Sequence, residues 1–414
     1  VGIRLSGTEH IEGGIDAAEA GRIAVHLEPL VDFIDVSQSS YWRFHKFLST
    51  LDDPLGYELP VSEQVTRLVS KPTIVTGRIM TLDHAQHLVE SGVADMVSMV
   101  RAMVADPHLV VKAREGREAE IRPCIGTSMG CVAQLMTTGR LQCVVNVAAG
   151  KETTTAFETP TKAERRKKVL VVGGGPAGLE AARTAALRGH DVHLYEMTGH
   201  LGGQVRMAAT APHRADLEAI TRWLADEVAR LDVYVHLRTP VDPDLIAEAR
   251  PDEVIIATGS TPRREFQIAT PSLPVKGGSL PHVWSTWDVL GFGGRATIGR
   301  QAVVFDDSGT FEAISAADAL LAAGARVTVV AREEQLGAHI PYPPATVAAS
   351  RERLLAAGVE FVPAMEIAEI TPTEVIARGR GNDLVRRFSA DTVVIATYHD
   401  PNDEIASHLA GQGY

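Results

Sequence analysis

The sequence predicts an α/β protein assembled mainly from parallel strands, and three observations predict it. Short β runs alternate with amphipathic helices through the first 115 residues, two later strand–turn–helix units follow a polar linker, and all three cysteines fall in one short segment between these regions. A length of 414 residues implies roughly two or three domains with a sizeable buried core.

The first region reads as four βα units. Gly2 to Ser6 is a strand, Ala17 to Leu27 a helix and Val31 to Ser37 the next strand. The series continues with a strand from Thr73 to Thr76, a helix from Asp83 to Ser91, a strand from Asp95 to Met99 and a helix from His108 to Gly116. Parallel strands with crossover helices make either a doubly wound sheet or a (β/α)₈ barrel, of which four units are half. Periodicity leaves both open. Thr76-Gly77-Arg78 follows one strand and Val100-Arg101 the next, so two guanidinium groups and a glycine turn sit at strand ends, where such barrels bind phosphate.

Cys124, Cys131 and Cys143 are the only cysteines of the chain. Thiolates gathered without a secretory signal point to a metal or iron–sulfur site rather than to a disulfide framework. A cubane takes four protein ligands, and the chain supplies three cysteines.

The polar, basic stretch Lys151 to Lys168 reads as a linker. It leads into Lys168-Val-Leu-Val-Val-Gly-Gly-Gly-Pro-Ala-Gly-Leu, a strand running straight into Gly173, Gly175 and Gly178. These are the glycines of G-x-G-x-x-G: a tight turn, close approach to a pyrophosphate, and helix–strand packing. A helix from Leu179 to Arg188 follows, and then a strand from Asp191 to Tyr195 that ends in Glu196, placed for an adenosine ribose. Glu253 to Gly259 supplies a further buried strand and glycine turn. A second unit opens at Gln301, with a helix to Ala323 and a strand from Arg326 to Ala331, but Asp306 and Asp307 stand where turn glycines are expected and Gly309 alone remains. Two carboxylates there suit a helix N-terminus and repel a pyrophosphate.

The formal charge of −12 is spread along the chain, which argues against a nucleic-acid surface, and no apolar run approaches the ~18 residues of a membrane span. With no leader-like n-region, the location expected is cytoplasmic. Val1 opens inside an apolar run, and Leu409-Ala-Gly-Gln-Gly-Tyr414 stops just after a helical segment, so the chain is expected to be a piece of a longer protein, cut at both ends.

In this order the parts resemble the 2,4-dienoyl-CoA reductase and trimethylamine dehydrogenase group of old-yellow-enzyme-like flavoproteins. Gly2-Ile-Arg-Leu-Ser6 is similar to that group's fifth barrel strand, Gly77-Arg78-Ile79 and Arg101 through Ala105-Asp106-Pro107 to its FMN-phosphate strands, and Ile121-Arg-Pro-Cys-Ile-Gly126 to the start of its [4Fe–4S] motif. The resemblance implies the C-terminal half of a (β/α)₈ barrel over 1–118 and a cysteine-cluster segment with linker over 119–167. It further implies a Rossmann-like FAD or ADP domain over 168–298 and a second, degenerate dinucleotide-like domain over 299–414.

Carried residue by residue, the resemblance sets Arg4 near the flavin pyrimidine edge and has Gly77, Arg78, Val100 and Arg101 hold the FMN phosphate. Gly173, Gly175, Ala177, Gly178, Glu196, Gln204, Arg214 and Val241 fall to FAD or ADP, and the three cysteines to the cluster. The group's spacing C-x₂-C-x₃-C-x₁₁-C is kept at its first, third and fourth places, with Thr127 at the second. The loop after Val31 to Ser37 carries Tyr41 and His45 as candidate proton donors, beside Trp42.

Two activities are implied. One is NAD(P)H-driven reduction of activated C=C bonds, and the other is dehydrogenation of amines with electrons passed to a carrier protein; a non-catalytic relative is a third reading. The resemblance also allows a homo-oligomer of the full-length protein.

Overall fold

The computed structural model describes residues 1–154, 160–292, 294 and 296–411. Parts of the linker and the last three residues of the expected C-terminal end therefore lie outside the described residues. The chain forms two compact units: Val1–Phe157 with Pro341–Ala349, and Glu158–Ile340 with Ser350–Tyr414.

In the first unit, β1 (Gly2–Ser6), β2 (Phe33–Ser37), β3 (Thr73–Val75) and β4 (Met96–Val97) form one parallel sheet in sequential order. Sequential parallel order is the arrangement of a barrel half, since a doubly wound sheet reverses direction about its first strand. The helix Ala17–Leu27 has the predicted limits because Asp16 caps its Glu19 N–H and because Ala20 and Ala24 pack on Ile34 and Val36. Arg4 and Asp35 are register partners on the opposite face of β1 and β2. The helices Leu59–Thr66 and Val100–Ala105 join the expected set. The cysteine segment belongs to this same unit rather than standing apart.

The second unit holds two parallel sheets. β5 (Lys168–Val172), β6 (Asp191–Glu196), β7 (Tyr234–Leu237) and β8 (Glu253–Ile256) run in the order β7-β6-β5-β8. β9 (Ser260–Pro262) follows, then β10 (Val283–Ser285), β11 (Gln301–Asp306), β12 (Arg326–Ala331) and β13 (Glu360–Val362). An antiparallel sheet comprises β14 (Met365–Ile370), β15 (Glu374–Gly379) and β16 (Val385–Ser389). β17 (Thr392–Ala396) completes the second parallel sheet as β10-β17-β11-β12-β13, and β18 (His399–Pro401) pairs back onto β9.

The boundary expected at 298/299 is thus crossed twice, because β10 joins the later sheet and β18 the earlier strand β9. The core of the later part is a cluster that includes Val303, Phe305, Val330, Val393 and Ile395, covered by Ile367, Val375 and Phe388 of the antiparallel sheet. Among the described residues no helix is long and apolar enough to cross a membrane.

Candidate flavin, cluster and dinucleotide sites

The glycine turn after β3 is built by two successive residues in left-handed conformations, Gly77 at φ 142° and Arg78 at φ 56°. Successive N–H groups of such a turn form a concave anion site. Gly77 must be glycine, because a Cβ there would lie 2.6 Å from the Glu58 Cβ. The guanidinium of Arg78 is buried and donates to the Asp53 carbonyl. Arg101 reaches the Ser49 carbonyl at 2.6 Å, Ser128 Oγ at 3.1 Å and Ser49 Oγ at 3.3 Å. Both guanidinium groups are therefore anchored on protein partners, while Val100 is 72 % exposed.

Arg4 Nε lies 3.7 Å from Asp35 Oδ2, and Asp35 Oδ1, with Gln38 Oε1 and Ser40 Oγ, is buried without a hydrogen-bond partner among the described residues. Burial pushes the Asp35 carboxyl up, against the pull of Arg4. Unmet buried acceptors are rare in folded proteins and mark a place for a polar ligand. The glycine turn, the cation and these acceptors fit a flavin mononucleotide.

Sequence reasoning missed Glu58. It is buried between the Gly77 turn and the arginines Arg101 and Arg4, and it shares a side-chain hydrogen bond with Tyr57. Burial pushes its carboxyl up to about 8 against the two guanidinium groups. A lone glutamate before a Leu-Pro pair carries no motif, and only the long-range contact with Gly77 reveals it.

The loop after β2 sends its two candidate proton donors to different environments. Tyr41 is 82 % exposed and stacks on Phe44 at 5.9 Å, whereas His45 is 5 % exposed. His10 is held below its ordinary pKa by burial and by Lys46 and Arg43, with His45 acting in the same direction.

Cys124, Cys131 and Cys143 are brought within electrostatic reach of one another. Gly130 makes this approach possible, because a Cβ there would meet the backbone of Cys143 and Val144 at 2.6–3.0 Å. Burial raises the Cys124 and Cys143 thiols. Opposing it, Arg101 and the Gly126 N–H act on Cys124, and the Val145 and Asn146 N–H groups and Arg122 act on Cys143. Among the described residues no group of three His, Cys, Asp or Glu is arranged to hold a single metal ion. Three thiols, backbone N–H donors to sulfur and two flanking cations suit an anionic iron–sulfur cluster as donor set. Thr127 adds a hydroxyl that accepts weakly from the Met129 N–H at 3.4 Å.

In the second unit the fingerprint turn has the geometry its glycines predict. Gly173 is left-handed at φ 109°, and a Cβ on it would strike the Ala257 carbonyl; one on Gly178 would strike the carbonyl of Gly173. Above Gly175 the nearest atom is the Gly203 Cα at 4.0 Å, leaving a cradle at the N-terminus of helix Pro176–Leu187. Ala177 lies exposed in that first turn. Glu196 accepts the Gly174 N–H at 2.8 Å and the Thr198 N–H at 2.7 Å, and a carboxylate keeps further acceptor capacity for ribose hydroxyls. Gln204 donates to the Ser260 carbonyl at 2.9 Å. Arg214 is buried, with its guanidinium 4.3 Å over the Phe311 ring and 3.4 Å from Ser350 Oγ, and Val241 is half-buried just before the helix cap Asp242. The cradle fits a dinucleotide.

The sequence pattern of the pyridine nucleotide-disulphide oxidoreductase family matches residues 167–413. The chain belongs to that family. Residues 1–120 match the NADH:flavin oxidoreductase / NADH oxidase family, and the two in succession place this family member in the 2,4-dienoyl-CoA reductase and trimethylamine dehydrogenase group. The two families support FMN, FAD and NAD(P)H as cofactors.

The chain is similar to NADH oxidase of Thermoanaerobacter brockii, 33 % identical over all of this chain and 62 % of that protein. It superposes on 6-hydroxypseudooxynicotine amine oxidase of Pseudomonas geniculata N1 with a TM-score of 0.90 at 27 % identity, covering 100 % of this chain and 62 % of the other. It also superposes on a 2-naphthoyl-CoA reductase with a TM-score of 0.86 at 28 % identity, covering 98 % and 59 %. The chain thus spans about three fifths of the length of these relatives.

Proposed function

We propose that the whole protein is a flavin-dependent oxidoreductase that exchanges hydride with a small organic substrate on the barrel side and moves electrons singly towards the dinucleotide domain. The observation that carries this reading is Arg101, which is bound to Ser49 and Ser128 and acts electrostatically both on Glu58, the residue packed under Gly77, and on Cys124. One side chain therefore acts on both the residue under the Gly77 turn and the cysteine segment. When bound, FMN supplies hydride chemistry and an iron–sulfur cluster supplies single-electron transfer.

The residues have separable tasks in this reading. The Gly77–Arg78 N–H groups bind phosphate, and Arg4 faces the pyrimidine edge, where a cation favours the anionic reduced ring. Cys124, Cys131 and Cys143 hold the cluster, with Thr127 leaving its fourth ligand to another group. Gly173, Gly175 and Gly178 cradle the FAD pyrophosphate and Glu196 takes the ribose. Tyr41 or His45 holds the substrate proton, and the exposure of Tyr41 favours it.

The direction proposed is reduction of activated C=C bonds by NAD(P)H, supported by the likeness to NADH oxidase and to the naphthoyl-CoA reductase. The second reading is amine dehydrogenation with a protein electron acceptor, supported by the likeness to the amine oxidase and by the two buried aspartates at the end of β11, Asp306 and Asp307. An anaerobic visible spectrum of the protein from its complete reading frame separates them. Bleaching of the flavin band by NADH or NADPH supports the reductase, and bleaching by a candidate amine with no response to either nucleotide supports the dehydrogenase. A protein without a flavin band defeats both.

A further inference from the structure

The turn after β11 is filled by the chain itself. Asp306 ends the strand, and its Oδ1 accepts the Gly309 N–H at 2.8 Å; the Gly337 N–H donates to the same carboxyl. Its Oδ2 is buried with no hydrogen-bond partner among the described residues. Asp307 Oδ2 accepts the Ile268 N–H and the Thr397 hydroxyl, each at 2.6 Å, and its Oδ1 lies 3.9 Å from Arg332 Nε. His339 closes the turn, with its N–H on the Gly309 carbonyl at 3.0 Å and Nδ1 on the Ser308 carbonyl at 2.8 Å. Asp306 and Asp307 are 1 % and 0 % exposed.

Helix Phe311–Ala322 begins beyond this turn, capped by Thr310. In a dinucleotide domain the N–H groups of this turn and the first turn of the following helix receive the pyrophosphate. Here a carboxylate already stands on one of those donors, the Gly309 N–H, and also takes the Gly337 N–H from the segment after β12, with a second buried carboxylate beside it.

We propose that Asp306 is a specificity determinant that competes with nucleotide phosphate for the Gly309 N–H, so that a nicotinamide dinucleotide enters this domain only when Asp306 is protonated and turned aside. The charged and titratable groups around it are Asp307, His339 and Arg332, with Glu366 of β14 acting on Asp307; Glu312 on the helix is paired with His399 at 2.9 Å. Burial pushes the Asp306 carboxyl up to about 7, with Asp307 adding to it and the two N–H groups and His339 opposing. A pyrophosphate meets a neutral group below that pH and a buried anion above it.

The inference rests on the proposed entry of electrons from NAD(P)H, but its test is a binding measurement that can fail while the flavin chemistry stands. NADH is titrated calorimetrically into the FAD-saturated full-length protein at pH 6 and pH 8.5, in two buffers of different ionisation enthalpy, for wild type and Asp306→Ala. A carboxyl titrating near 7 predicts a wild-type affinity roughly thirtyfold weaker at pH 8.5 and uptake of about one proton per NADH there. Asp306→Ala should bind with no pH dependence and at least as tightly as wild type at pH 6. A pH-independent wild-type affinity without proton uptake overturns the proposal, as does an Asp306→Ala protein that binds no better than wild type at pH 8.5, or no binding to either protein. If the variant fails to fold, the wild-type proton count decides alone.

Discussion

Replacing Glu58 with Gln should flatten the pH dependence of the first unit's stability. Burial raises this carboxyl from its ordinary 4.5 to about 8 in the folded chain. The folded state therefore keeps the Glu58 proton through a window in which the unfolded chain has released it. Stability is full below about 4.5 and is lost as pH rises through about 8, the reverse of a salt-bridged carboxylate. At about 1.4 kcal/mol per pH unit, the interval 8 − 4.5 sets a loss on the order of 5 kcal/mol in the flavin-free protein. Gln keeps the shape and a hydrogen-bonding amide but has no proton to lose. Urea unfolding of wild type and Glu58→Gln from pH 5 to pH 9 should show the two stabilities diverging steadily from pH 5 up to about 8 and holding a constant gap above it, with the variant the more stable at pH 9. Curves that stay parallel across the range would refute the argument, since they would mean that Arg101 and Arg4 hold the carboxylate ionised.

Asp106→Ala should cost about 3–5 kcal/mol, because it removes the carboxylate from Lys112, whose ammonium is buried 2.6 Å from it. Adding Lys112→Met should recover part of that loss in a double-mutant cycle, and strict additivity would show that the pair is not coupled. Gly178→Ala forces a methyl against the Gly173 carbonyl and should abolish FAD retention, read as flavin absorbance after gel filtration. A variant that keeps stoichiometric FAD would show that the Gly173 turn is not the binding cradle.

Where a local rule acted alone, the sequence was readable. Asp16 and the Ala20/Ala24 stripe set the helix Ala17–Leu27 at its predicted limits, and the strands Gly2–Ser6 and Arg326–Ala331 match residue for residue. Asp95 to Met99 shrinks to the two residues of β4, because Asp95 turns to bind the Thr73 N–H and hydroxyl and a helix begins at Val100. The helix Leu59–Thr66 has a single local signal, Pro60 in its first turn, a position that favours helix starts. The antiparallel sheet has a local signal as well, since Met365-Glu-Ile-Ala-Glu-Ile370 comes near the alternation of a half-buried strand. The interleaving of β9 with β18 and of β10 with β17 could not be read locally, since it pairs residues more than a hundred positions apart.

Thr127 stands among the three cysteines without holding their segment in place, as the contacts around it show. Asp106 Oδ2 accepts the Arg122 N–H at 2.9 Å, so the hub that neutralises Lys112 also fixes the backbone entering Cys124. Arg122 donates to the Val145 carbonyl, and Asn146 Nδ2 donates to the Val104 carbonyl at 2.9 Å, tying the far end of the segment back to the barrel helix. Gly130 packs on the Cys143 backbone, and the Gln142 N–H bonds the Gly130 carbonyl at 3.1 Å. None of these contacts passes through residue 127. The three thiols are therefore positioned by hydrogen bonds within the chain anchored on Asp106 and Arg122, and a threonine at position 127 leaves the scaffold that presents them intact.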